Sequence, residues 1–83
     1  MPESNRPLVE RIARVLAGTK LSANAEGNDS SASREVDRTW REHVNEALAV
    51  LQTAREPDEA MAAVGDLEVW RDMVEAAIAQ RVD

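Results

Sequence analysis

The stretch Arg55-Glu56-Pro57-Asp58-Glu59 constrains this chain more than any other, because it stops one helical pattern and starts a second. Proline lacks an amide hydrogen and drives the residue before it out of the α region, so a helix arriving from the N-terminal side ends near Arg55. The same ring suits the first turn of a new helix. Asp58 and Glu59 then follow where negative charge meets the positive end of a helix dipole. The stretch reads as the tight bend of a helical hairpin.

Both sides of the bend carry helical periodicity. After a loose terminus at Met1 to Asn5, Pro7 and the apolar set Leu8, Ile12, Val15 and Leu16 predict an amphipathic helix that ends near Gly18. Residues 19–33 are small, polar and turn-forming, with Leu21 the one large apolar side chain, and read as a flexible linker. Ser31 or Ser33 is placed to cap a second helix running to about Arg55, with Val36, Trp40, Val44, Ala47, Leu48 and Leu51 on one face. Beyond Pro57, Gly65 and Asp66 are placed to act as a C-cap and a new N-cap, which divides the remainder into helices 57–64 and 67–81. Leu67, Trp70, Val74, Ala77 and Ile78 form the last stripe.

These arms predict an all-α fold, a small three- or four-helix bundle built on an antiparallel helical hairpin bent at Pro57. The organisation expected is an N-terminal tail and amphipathic helix at 1–18, the linker at 19–33 and a hairpin core at 34–83, with helix 6–18 docked on it as one domain. The second helix would be roughly 33 Å long at about 1.5 Å per residue, and the part after Pro57 nearly matches it if straight. Trp40 and Trp70 would then lie at one level of the core.

Composition narrows the function classes. In 83 residues only one small core fits, so docking to a partner or to a second copy would add stability. There is no cysteine, which excludes disulfides and thiolate chemistry. No apolar run approaches a membrane span or a signal-peptide core, so the expected compartment is the cytoplasm. The net charge of −6 argues against coating nucleic acid or anionic lipid. Residues 1–20 nevertheless carry four cations against two acids, and residues 21–83 six arginines against fourteen acids. The first helix is therefore a basic element on an acidic protein, which complements the rest, stands in solvent, or serves as a docking helix through Arg11 and Arg14.

No constellation carries chemistry. His43 and Glu46 share a helix face, but no second histidine or cysteine completes a metal site, so His43 is expected to flank the apolar stripe half exposed. The carboxylates around Pro57 are explained by the helix dipole without acid–base work. Gly18, Gly27 and Gly65 are too far apart to cradle a phosphate. A short helix, Gly65 and a following helix have the outline of a helix-turn-helix, yet Asp66, Glu68, Asp72 and Glu75 would meet phosphates with the wrong charge. Trp40 and Trp70 are the remaining interaction candidates, with a core role weighed against an interface role. No catalytic residue, metal or cofactor is expected.

The order Trp40, Glu46-Ala47, Leu51, Arg55-Glu56-Pro57, Glu59-Ala60-Met61, Gly65, Trp70, Met73 and Ala76-Ala77, with Ile12 to Leu16 before it, resembles short uncharacterised helical proteins of alphaproteobacteria and their phage-derived regions. That resemblance implies a bacterial, prophage-linked origin and transfers no functional residues. The expected function is a non-enzymatic interaction or accessory protein that docks to a protein partner or forms a homodimer. The alternative is a regulator of nucleic acid transactions, acting through the basic first helix or through an acidic surface that occupies a basic partner.

Overall fold

A computed structural model describes residues 4–25 and 32–80, with side chains for 4–20 and 34–80, and every regular element among them is helical. Helix α1 spans Leu8–Ala25, α2 Ala32–Thr39, α3 Val44–Ala54, α4 Glu59–Ala62 and α5 Leu67–Ala79, and a 3-10 turn over Trp40–His43 joins α2 to α3. The all-α class expected from the sequence holds. None of the described helices is long and apolar enough to cross a membrane.

Helix α1 lies against α2, the 3-10 turn and α3. Its buried seam is Val9, Ala13 and Ala17, which recur every fourth residue and are completely enclosed or nearly so. The expected stripe was centred one position away. Leu8, Ile12 and Leu16 flank the seam half-buried, while Val15, two positions from Ala13 and thus about 200° around the helix, is 65% exposed. Large apolar residues dominate a sequence pattern, but here two alanines make the closest contact because they let the facing elements approach.

Two helix boundaries differ from expectation. The first helix does not stop at Gly18. It continues to Ala25, since Lys20, Leu21, Ala23 and Ala25 favour helix and an internal glycine costs only about 1 kcal/mol. The remainder of the expected linker, residues 26–31, lies outside the described residues, as does the candidate cap Ser31; Ser33 is inside α2. The second helix is divided. The Thr39 hydroxyl donates to the Glu35 carbonyl, Oγ1···O 2.6 Å, and the chain then tightens into the 3-10 turn. With three residues per turn, positions i and i+3 eclipse, so Trp40 and His43 face the same way and both are buried. That geometry corrects the expectation of a half-exposed His43, which assumed an uninterrupted α-helix.

Beyond α3, aspartates set the helix starts. The Asp58 backbone is extended (φ −94°, ψ −177°) and its carboxylate accepts from the Met61 amide at 2.9 Å, which makes Asp58 the cap of α4 and leaves Pro57 just outside the first turn. Asp66 repeats the arrangement for α5, its Oδ1 accepting from the amides of Glu68 and Val69. The expected division at Gly65 and Asp66 is therefore present. Gly65 is not in the left-handed conformation of a C-cap glycine, and a Cβ there would meet its nearest neighbour, the Met61 carbonyl oxygen, at an ordinary 3.9 Å.

This division moves Trp70. Its indole N–H donates to the carbonyl of Ala54 at 2.7 Å, satisfying one of the carbonyls that the end of α3 leaves unpaired. Ala54 lies about 20 Å along the helical path from Trp40 at roughly 1.5 Å per residue. The two indoles therefore occupy opposite ends of the core, against the expectation of one shared level. The residues of α4 and its flanking turns, counted as straight helix in that expectation, hardly advance the chain along α3.

The core joins Val9, Ala13 and Ala17 to Trp40, Ala47, Leu51 and Val74, with Trp70, Ala77 and Ile78 of α5 packed against it. Substitutions separate the local devices. Asp66→Ala should cost about 1 kcal/mol through the lost cap, while Gly65→Ala, unstrained in its backbone conformation, should stabilise by about 0.4–1 kcal/mol. Gly18→Ala should stabilise by about 0.5–1 kcal/mol, because the added methyl would lie 3.7 Å from Val36 inside a continuous helix. Urea unfolding of the three variants, followed by circular dichroism, measures all three values.

Candidate functional site

The residues singled out in the sequence separate into two places. Trp40 is 3% exposed and belongs to the core. Its indole is flanked by two guanidinium groups, with the Arg14 carbon 5.3 Å and the Arg41 carbon 4.4 Å from the ring centroid. Arg14 also donates from Nη1 to Asp37 at 2.6 Å and from Nε to Glu10 at 2.8 Å. Those bonds, the one to Asp37 foremost, raise its pKa above the ordinary arginine value. Arg14 thus fastens α1 to α2 over Trp40, a structural duty, whereas Arg11 is exposed.

Other cations of α1 have internal partners as well. Arg6 approaches Glu10 at 3.9 Å, and Lys20 approaches Glu46 at 3.8 Å. His43 meets the same Glu46 carboxylate through Nδ1 at 2.8 Å. With Glu46 ionised, Nδ1 must carry the hydrogen. This hydrogen bond, followed by the charge of Lys20, holds the Glu46 carboxyl below its usual range. Among the described residues no three acidic or histidine side chains converge as a metal site would require.

The second place is an apolar groove of about 320 Å³ between α4 and α5. Pro57, Met61, Val64, Val69, Trp70 and Met73 form its walls. Val64 is 89% exposed, Met73 64% and Val69 54%. Trp70 links groove and core: one edge of the ring lines the groove while its N–H is fixed to the end of α3. Two ion pairs brace the same junction, Arg71 to Glu56 at 3.1 Å and Arg55 to Glu75 at 3.6 Å.

The groove wall is almost wholly carbon. Its one carboxylate, Asp66, is occupied in capping α5. Sequence reasoning named Trp70 but missed the groove, because the apolar spacing of Met61 and Val64 does not show whether a facing surface covers them. A signal was available in α5, where Val69 and Met73 extend the apolar surface beyond the Leu67, Trp70, Val74 and Ile78 face that one packing contact needs.

The two places respond differently to substitution. Arg14→Met keeps much of the apolar stem but removes the cation over Trp40 and both ion pairs, and should destabilise by about 1–2 kcal/mol. Arg11→Met should change stability by less than about 0.5 kcal/mol; parallel denaturant titrations compare them. No protein-family model matches the chain, and no curated protein and no solved structure matches it.

Proposed function

We propose that this protein is a non-enzymatic docking module whose working surface is the α4–α5 groove. The observation that carries the reading is the continuous apolar wall of Val64, Val69 and Met73 left in solvent beside Trp70. Single exposed apolar residues are ordinary, but a contiguous patch shaped into a groove on a small domain marks an interaction site. Two methionines in the wall suit it to docking, since the unbranched thioether adapts its shape to what it meets.

The scaffold in this reading is a three- or four-helix bundle. Helix α3 and the α4–α5 segment form an antiparallel hairpin turned at Pro57, and α1 closes over its other side. The bond from Trp70 to Ala54 and the ion pairs of Arg55 and Arg71 support that arrangement, because they hold the start of α5 beside the end of α3.

The alternative, regulation of nucleic acid transactions by direct binding through α1, draws less support. Arg14 is engaged by Asp37, Glu10 and Trp40, and Lys20 stands beside Glu46, so the basic helix has little free charge for phosphates.

Val69→Glu and Met73→Glu test the docking reading directly. Both side chains are mostly in solvent, so each variant should unfold within about 0.5 kcal/mol of the parent. The parent should enhance the fluorescence of a hydrophobic dye in its native state, and both variants should lose most of that enhancement. A parent that binds no dye, or variants that unfold, would show that the surface is covered or structural, and the reading would fail.

A further inference from the structure

We propose that the α4–α5 groove receives a basic amphipathic helix from a partner protein. The inference rests on the docking reading above and adds the chemistry of the occupant.

Charge identifies the sign. Residues 56–80 carry seven carboxylates and a single cation, Arg71, which is itself paired with Glu56 at 3.1 Å. With Arg55, which pairs with Glu75 at 3.6 Å, residues 55–80 carry a net charge of −5, and Glu68 and Asp72 stand exposed beside Val69 and Met73. A symmetric contact between two copies through this face would bring two segments of net −5 together, and like charges repel over about one Debye length, roughly 8–10 Å at ordinary ionic strength. A second copy presenting α1 instead would bring Arg14 and Lys20 already engaged by Glu10, Asp37 and Glu46, with Arg11 as its exposed cation. A cationic partner gains where a second copy would lose.

Shape identifies the helix. The exposed apolar positions of α5 lie on one stripe, with Val69 and Met73 followed by the exposed Ala76 one turn further. A helix laid along that stripe inserts its own apolar side chains between these residues, as ridges enter grooves. An extended peptide would bring backbone amides and carbonyls to a wall that is almost wholly carbon, with no strand edge among the described residues to pair them. A helix arrives with those groups already bonded to one another.

The probe is a synthetic peptide of about 18 residues, roughly 27 Å as a helix, with leucine at helical spacing and lysine elsewhere. Two controls accompany it: a scrambled peptide of the same composition, and one with glutamate in place of every lysine. The lysine peptide should shift the methyl resonances of Met61 and Met73, and its affinity should fall at least tenfold between about 50 and 500 mM salt. Glu68→Lys with Asp72→Lys should weaken it by a similar factor; circular dichroism confirms that the double variant is folded.

Equal binding of the glutamate peptide would overturn the charge inference while leaving the docking reading intact. Equal binding of the scrambled peptide would overturn the helix. Concentration-dependent dimerisation of the protein alone, abolished by Val69→Glu, would assign the groove to a second copy and overturn the proposal. If no peptide and no dimer moves the Met61 and Met73 signals, the docking reading itself falls.

Discussion

The seating of Trp40 beneath α1 is the contact from which the rest of the packing follows. Its indole is the largest side chain in the core, and it is held in the 3-10 turn, where the tighter winding also turns His43 inward. The alanines of α1 leave room for close approach, and Arg14 lies above the ring while bonding to Asp37 of α2. Aromatic area, a partly buried cation and a small-residue seam act together at one point. In a domain this small, such concentration replaces the breadth that a larger core would have.

The second tryptophan works at the opposite end by a different principle. Trp70 fixes α5 to α3 through one hydrogen bond to a carbonyl that α3 cannot satisfy internally, and the surrounding ion pairs hold the registry. Because the contact is at the end of α3, only Val74 of α5 becomes fully buried. Much of the apolar surface of α5 therefore remains outside. The groove is thus a consequence of where the chain is punctuated, with caps at Asp58 and Asp66 starting the helices that carry Met61, Val69 and Met73.

The parts of the fold that could be read from the sequence are those governed by local chemistry. Pro57, Asp58 and Asp66 act on their own neighbours, so the helix starts after them were foreseeable. What could not be read depends on contacts between distant residues. The centring of α1 on Ala13 follows from how closely the facing elements approach it; an alanine gives no sign of that in a periodicity count. The 3-10 turn lies in a stretch whose pattern is equally good for α-helix, and its tightening follows the Thr39 hydroxyl bond to the Glu35 carbonyl and the burial of Trp40 and His43, neither of which a periodicity count records. The groove was the least accessible: the apolar character of Met61 and Val64 says nothing about whether a facing surface is present to cover them.

Helix α4 connects these points. A helix of four residues lies far below the length at which helix formation sustains itself, and its identifiable internal support is the Asp58 cap. Its tertiary contacts with the other helices are sparse, so its position is fixed chiefly by the short connections at Pro57 and at Gly65–Asp66. One wall of the groove is consequently built on an element that the rest of the core barely supports. Any occupant packed between Met61 and Met73 would supply the missing contacts to α4 and α5 at once, and binding to the native state alone adds stability in proportion to the logarithm of ligand concentration. Occupancy and the order of α4 would therefore be coupled.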